Sequence, residues 1–595
     1  MILIFGGTTE GRTAASVCEE AGKTFFYSTK SDMQQVELHH GVRLSGGMTA
    51  EEMRAFCKSH GICCIIDAAH PFAVNLHNAI HDCARMETDG SGRDIPVIRM
   101  QRSFAEKRND VTYCDDYADA IKKMQDANIR CLLALSGVNT VKKLKPYWTH
   151  NRTVFRILDR EESIASAREN GISDENIIFY NDENALPSTE EETKMMRSVG
   201  CDAIITKDSG ASGGFNAKVD AAVSLGLKVF VVKHPELPKD WTYATGKYGL
   251  RRAIEKLAPE FFPLKTGLTT GACATAAAKA ATMSLLGDDA IEEVSFALPD
   301  GEILTIPVEL SDRGCATVVK DMNDDPDVTK GCRITARAEF PDYTEGTAQV
   351  IAFLKGNGVG TVTLPGIGIP VGGPAVNPTP RKMITQEIKG ITQRSVNITI
   401  SVENGEELAK KTFNPRVGVV GGISILGTSG IVHPLSNEAF IKSIRRELDV
   451  AWAMGCKEIG LVAGMKSERA LKEKVPGLRC VHYGNFIGES LKAAREIGFS
   501  HVYLAIMIGK AVKLAEGHLD THSHKFVMNK DFLMQTATEL GLDSSRIKGI
   551  TMARELWDFM PDEFFERIKS LCIEHCREVF PEGELTIRLI CDKQQ

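Results

Sequence analysis

Gly6, Gly7 and Gly11 frame the stretch Gly6-Gly7-Thr8-Thr9-Glu10-Gly11-Arg12, between the apolar run 2–5 and a helix-like segment, 12–21. A strand, a glycine turn and a helix start leave backbone N–H groups unpaired at the positive end of a helix dipole. That arrangement binds phosphate. The spacing departs from the dinucleotide pattern G-x-G-x-x-G. Nucleotide binding by Gly6, Gly7, Thr8, Thr9, Glu10, Gly11 and Arg12 therefore stands beside the plainer reading of a tight βα turn. A ribose ligand is expected about 20 residues further on. Asp32 is placed for a ribose hydroxyl, and Thr29, Lys30 and Ser31 for a 2′-phosphate, so NADH and NADPH both stay open.

Two further clusters follow apolar runs: Asp67-Ala68-Ala69-His70-Pro71-Phe72-Ala73, and Thr206-Lys207-Asp208-Ser209-Gly210-Ala211-Ser212-Gly213-Gly214 with Lys218 beyond it. His70 is placed to donate a proton or to cap the helix after Pro71. Lys207-Asp208 reads either as a site pair or as a surface pair.

The later chain has its own chemistry-bearing segments. In Lys265-Thr266-Gly267-Leu268-Thr269-Thr270-Gly271-Ala272-Cys273, hydroxyls can cap a helix and glycines allow close backbone approach. Cys273 could be a thiol activated at a helix N-terminus. Without a paired histidine, a small buried residue is the favoured reading. The acidic run 321–327 lacks the glycine and terminal glutamate of a calcium loop, so an Asp-rich turn is expected. His518, His522 and His524 have the character of ligands, and Cys572, His575 and Cys576 share one helical stretch. Neither group has zinc-site spacing, and no protein-bound metal is expected.

These residues need elements to hold them. Over the first 250 residues, short apolar runs (2–5, 62–66, 131–135, 203–205, 229–232) alternate with helix-like segments such as 12–21 and 75–85. Such alternation predicts parallel sheets covered on both faces, with ligands outside the carboxyl ends of the strands. Two halves are expected, about 1–125 and 126–258, then a helix broken at Pro263. A linker is placed at 259–265 and a second domain at 266–595. In that domain alternating strand patterns (294–320, 331–352) give way to strand–helix alternation beyond about 440. The predicted class is multidomain α/β and α+β: two Rossmann-like parallel-sheet halves, then an α+β subdomain followed by an α/β subdomain.

Composition narrows the function. The chain has 595 residues, 43% hydrophobic and 25% charged, with net charge −7. That suits a globular protein and argues against a general nucleic-acid binder. No run approaches the roughly 18 apolar residues of a membrane span, and the N-terminus lacks the features of a signal peptide. Scattered cysteines, 16 in all, fit a reducing compartment. A cytoplasmic enzyme with no membrane or nucleic-acid partner is the expectation, with a homo-oligomer left open.

The first three motifs, in this order and spacing, resemble the precorrin-6A reductase family: G-G-T-x-E-[GA], D-A-[TA]-H-P-[FY]-A and K-D-S-G-x-x-G-G over about residues 1–250. Lys233-His234-Pro235 stands where that family tends to carry Arg-Pro. The resemblance implies reduction of a conjugated cobalt-precorrin macrocycle by NADH or NADPH. His70, Lys207, Asp208 and Ser209 are then the candidate catalytic residues. Gly213, Gly214, Lys218 and the N–H groups of 209–214 would meet the acetate and propionate carboxylates of the macrocycle.

Residues 263–590 resemble the cobalt-precorrin-5B C-1 methyltransferase family. The resemblance rests on the 265–279 segment, on Lys320-Asp321-Met322-Asn323-Asp324-Asp325-Pro326-Asp327-Val328-Thr329, on Gly358-Val359-Gly360-Thr361, and on Asn377-Pro378-Thr379-Pro380-Arg381-Lys382. It also rests on Phe413-Asn414-Pro415-Arg416, the 421–432 loop, Gly484-Asn485-Phe486 and Thr521-His522-Ser523-His524. Asn323 stands where the family usually has Gly. The resemblance implies methyl transfer from S-adenosylmethionine, an in-line displacement that depends on orientation. Gly421, Gly422, Gly427 and Thr428 are then candidates for the cofactor. Thr269, Thr270, Arg381, Lys382, Arg416, His522 and His524 are candidates for the macrocycle. The competing readings are one inactive half, or a corrinoid carrier without catalysis.

Overall fold

The computed structural model describes residues 1–30, 36–85, 94–101, 108–180, 187–208, 214–341, 349–522 and 525–591. The chain divides into two compact units, Met1–Pro263 and Leu264–Gln595.

The first unit carries β1 (Ile2–Phe5), β2 (Phe25–Thr29), β3 (Gly41–Ser45), β4 (Cys64–Asp67), β5 (Val97–Met100), β6 (Thr112–Cys114), β7 (Cys131–Ala134), β8 (Arg152–Leu158), β9 (Ile177–Tyr180), β10 (Ala203–Lys207), β11 (Lys228–Val232) and β12 (Thr242–Ala244). They form two six-stranded sheets, β12-β5-β4-β1-β2-β3 and β6-β11-β10-β7-β8-β9. Every pairing in both is parallel. The unbroken apolar strands follow from burial on both faces. Ile2 and Ile4 enter one core, while Leu3 and Phe5 enter the core on the opposite face. Leu132 and Ala134 are separated from Cys131 and Leu133 in the same way.

Each sheet has the doubly wound order, and its direction of winding reverses between β1 and β4 or between β7 and β10. The halves are not continuous in sequence, which corrects the expected division near residue 125. β6 and the helix Tyr117–Asp126 belong with the second sheet, whereas β12 and the helix Gly246–Leu257 return to the first. The reason is local: β12 pairs along the open edge of β5, Thr242 opposite Ile98, and Leu250, Ile254 and Ala258 then pack at helical spacing against Ile2 and Ile4.

The first helix of the second unit, Thr270–Leu286, is buried along most of its length and rich in alanine. Beside it lies a sheet ordered Glu309–Asp312, Cys315–Val319, Arg333–Glu339, Val396–Val402, Ile351–Lys355, antiparallel except for its last pair. A parallel sheet follows, ordered Cys480–His482, Glu458–Val462, His501–Met507, Glu584–Ile590. The helices Asn437–Ala453, Ile487–Ile497, Ile508–Ala515 and Asp562–Val579 pack on it around Leu461, Leu491, Leu504 and Phe564. The α+β part followed by an α/β part is as the strand patterns predict. Among the described residues, no helix is long and apolar enough to cross a membrane.

Candidate functional site

In the first unit the glycine turn sits at the carboxyl end of β1, beside the winding reversal. Thr8 caps the helix Thr9–Glu19: its Oγ1 accepts from the Gly11 N–H at 3.1 Å and donates to the Ala68 carbonyl at 2.6 Å. The first motif is thereby tied to the second. Gly7 has φ +95°, and a Cβ there would meet nothing within 4 Å. A Cβ on Gly6 would stand 2.2 Å from the Tyr27 ring, and one on Gly11 2.8 Å from the Gly6 backbone. Two glycines therefore let the helix and strand approach, while the third leaves room at the turn. Arg12 donates to the Thr9 hydroxyl at 3.1 Å. Glu10 is half-buried in the first helical turn.

The segment after β4 is braced from below. Asp67 is fully buried, with Oδ1 2.9 Å from Arg99 and Oδ2 2.8 Å from Nδ1 of His77. Nε2 of His77 lies 3.1 Å from the carbonyl of His70, and Nδ1 of His70 accepts from the Phe72 N–H at 3.2 Å. Asp67, His77 and Arg99 were absent from the sequence-predicted site. Their signal is a carboxylate ending an apolar strand, a group that must find buried partners.

The third motif meets the second at Phe72, whose ring lies 5.2 Å from the Lys207 ammonium. Lys207 ends β10, where burial and the neighbouring Lys143 push its pKa down to about 8. Burial, then Arg156, pushes Lys218 down to about 8 as well, with Glu192 opposing. Arg156 is held 2.8 Å from the buried Glu192. Burial raises the Asp208 carboxyl, with His234 opposing. Gly214 takes φ +66° at the start of the helix Phe215–Ser224. Ser209 and Gly213 lie outside the described residues, as do Ser31 and Asp32; Thr29 is buried and Lys30 exposed. In the stretch Lys233-His234-Pro235, Lys233 pairs with Asp115 at 2.5 Å.

In the second unit most motif residues bond to their own chain. Thr269 caps the helix Thr270–Leu286, accepting from the Ala272 N–H at 3.1 Å. Thr270 Oγ1 accepts from the Leu426 N–H at 2.9 Å and reaches the Ser424 carbonyl at 3.2 Å. Both threonines are buried and hold the 424–430 loop. That loop needs its glycines for packing. A Cβ on Gly427 would stand 2.2 Å from Thr269 Oγ1, and one on Gly422 2.4 Å from the Gly358 carbonyl. Gly421 and Thr428 are exposed.

Arg381 donates to the carbonyls of Val376 and Pro374 at 2.7 and 3.1 Å and lies 4.8 Å from the Phe353 ring. Arg416 is bound to Glu447 at 3.0 Å, Glu468 at 3.3 Å and the Cys480 carbonyl at 2.8 Å, beside His482. Burial would lift the Glu468 carboxyl, but Lys472, His482 and Arg416 hold it at about 2. Both guanidinium groups are thus bonded within the chain, which leaves them few donors for a ligand. Lys382 is exposed.

The acidic run forms the expected turn. Asp321, Asp324 and Asp325 accept the N–H groups of Leu268, Lys265 and Leu435, and Asp327 holds the buried Lys320 at 2.8 Å. Cys273 is fully buried, and its thiol pKa is raised by burial. His522 is half-buried, its N–H bonded to Asp520; His524 lies outside the described residues.

A cleft of about 380 Å³ opens at the carboxyl end of the strand His501–Met507, lined by Asn485, Gly509, Lys510, Lys513, Thr521 and Arg554 among others. The two lysines and Arg554 went unnoticed in the sequence. Their signal is a pair of lysines three apart, immediately after a long apolar strand.

A family model described as Precorrin-6x reductase CbiJ/CobK matches residues 1–253, and one described as CbiD matches residues 258–434. The chain is 41% identical over 348 residues to a cobalt-precorrin-5B C(1)-methyltransferase of Prosthecochloris aestuarii, covering 55% of this chain and 94% of that protein. It is also 41% identical over 314 residues to the protein of that name from Thermus thermophilus, covering 51% of this chain and 83% of that one. Among solved structures, a cobalamin biosynthesis protein (CbiD) of Archaeoglobus fulgidus matches at 29% identity and TM-score 0.25, over 47% of this chain and 85% of that one. A CobK precorrin-6A reductase matches at 20% identity and TM-score 0.35, over 43% of this chain and 96% of that one.

Proposed function

The chain belongs to two enzyme families of cobalamin biosynthesis, the precorrin-6A reductases in its first part and the cobalt-precorrin-5B C(1)-methyltransferases in the rest, and from that premise we propose how each unit works. The first unit takes NADH or NADPH on the 6–12 turn. The observation that carries this reading is the contiguity of three motifs: Thr8 on Ala68, and Phe72 against Lys207. The open face at Gly7 fits a phosphate. The bound nicotinamide supplies the hydride. Lys207 and Lys218 bind carboxylate arms of the macrocycle, and the half-buried Asp208 and the braced His70 are the proton donors within reach of that face.

The second unit methylates C-1 with S-adenosylmethionine as methyl donor. Gly421 and Thr428 are the loop positions whose exposure leaves them available to that cofactor, and Lys382 is available to the macrocycle. The working domains are the two compact units, Met1–Pro263 and Leu264–Gln595, in a cytoplasmic enzyme; Phe261 and Phe262, in the expected 259–265 linker, are buried in the core of the first. The test is anaerobic incubation of the full chain with each cobalt-precorrin and each cofactor, followed by mass spectrometry. The expected products are a gain of two hydrogens on cobalt-precorrin-6A and of one CH2 on cobalt-precorrin-5B. Neither gain appearing would overturn the reading.

A further inference from the structure

The cleft beyond the strand His501–Met507 gathers positive charge, with no carboxylate among the described residues paired to its lysines. Lys510 and Lys513 lie one turn apart on the helix Ile508–Ala515 and are both half-buried. The Lys510 ammonium donates to the Gly484 carbonyl, and that of Lys513 reaches the Thr521 carbonyl at 3.4 Å. Among the described residues no carboxylate lies within ion-pair distance of either lysine. The nearby acids are engaged elsewhere, Asp520 with Lys525 at 2.7 Å and Glu516 with Asn529 and His518. Burial and the neighbouring Lys513 push Lys510 down to about 8, which means the site favours loss of charge until an anion arrives. Arg554 and Asn485 line the same space. The strand is also one of the two between which the parallel sheet reverses its winding, the usual place for a ligand in such sheets.

We propose that this cleft holds carboxylate arms of the macrocycle during methyl transfer, with Lys510, Lys513 and Arg554 as the charged contacts and Asn485 as a neutral one. The proposal rests on the methyltransferase reading. Charge decides between the two ligands of that reaction. The macrocycle is a polyanion, whereas S-adenosylmethionine carries a sulfonium cation that three nearby positive side chains repel. The arginines that appeared suited to carboxylates, Arg381 and Arg416, are already bonded within the protein.

Site-resolved lysine labelling of the full-length protein tests this without relying on turnover. With acetic anhydride near neutral pH, uroporphyrin, a tetrapyrrole bearing acetate and propionate arms, should slow labelling of Lys510 and Lys513 several-fold. S-adenosylhomocysteine should not, and the exposed helix residue Lys442 should react equally throughout. Protection by S-adenosylhomocysteine, or by neither compound, overturns the proposal. Where methylation is measurable, the paired change Lys510→Met and Lys513→Met should raise KM for the macrocycle roughly ten-fold or more, leaving KM for S-adenosylmethionine unchanged. The opposite pattern also overturns it. If the protein proves unable to methylate yet uroporphyrin still protects both lysines, the fault lies in the methyltransferase reading and not in the anion site.

Discussion

In the turn 6–11, Gly6 and Gly11 press on Tyr27 while Gly7 faces open space; in the loop 421–430, Gly422 and Gly427 press on Gly358 and Thr269 while Gly421 stays exposed. The glycines serve packing in both places. What differs is the neighbouring polar residues. In the first unit, Lys207 ends a parallel strand 5.2 Å from the Phe72 ring, and burial lowers the pKa of both Lys207 and Lys218. In the second, Thr269, Thr270, Arg381 and Arg416 are consumed by bonds within the chain. A glycine-rich motif marks a close approach of backbone. Whether the approach serves a ligand depends on which polar groups remain available around it.

The largest effect expected is at Asp67, where the first unit depends on an internal network as the second does. Asp67→Asn leaves Arg99 buried without its anion and should destabilise the first unit by about 3–5 kcal/mol, read by urea unfolding followed through limited proteolysis. Unchanged stability would break the view that this carboxylate braces the His70 segment. Next is Arg416→Met, which strips Glu447 and Glu468 of their shared guanidinium. It should cost the second unit about 3 kcal/mol. A higher KM for the macrocycle with stability intact would instead restore Arg416 as a ligand.

Smaller is the paired test of the two loops. Gly6→Ala and Gly422→Ala should each destabilise their own unit by about 1–3 kcal/mol through overpacking. Only Gly6→Ala should also weaken NADPH binding, measured by nucleotide fluorescence. Loss of NADPH binding in both variants would erase the contrast.

The smallest effect is one of pH. Lys207 and Lys218 sit near about 8 in the folded protein, against about 10.4 for an unperturbed lysine. The folded state therefore gives up its protons first, and these two groups add stability as pH rises from about 8 toward 10. Affinity for carboxylates runs the other way: KM for the reductase substrate should climb a few-fold as pH passes 8. Lys207→Arg should shift that rise upward, and a flat profile would remove the lysines from the substrate site.

Much of this was legible in residue order. Apolar runs such as 2–5 and 131–135 announce buried parallel strands because both faces must be covered. The return of β12 to the first sheet was not, since Thr242–Ala244 carries no apolar signature of its own and is placed by the free edge of β5. The reductase candidates Lys207 and Lys218 could be named because the resemblance implies a macrocycle whose carboxylates need cationic partners. Arg381 and Arg416 looked equally available, but the local fold turns Arg381 onto the carbonyls of Val376 and Pro374, and the partners of Arg416 lie far along the chain; Glu468, for instance, is 52 residues from Arg416.

By itself, the sequence determined the families, the classes of sheet and helix, and the order in which the reactive motifs occur, because periodicity and local spacing are properties of neighbouring residues. Only the tertiary structure decided which of those motifs remain available to a ligand. It satisfied the threonines and arginines of the second unit internally, left Lys510 and Lys513 without a carboxylate among the described residues, and placed Phe72 against Lys207. Burial and charge balance depend on groups distant in sequence, and folding alone brings those groups within reach of one another.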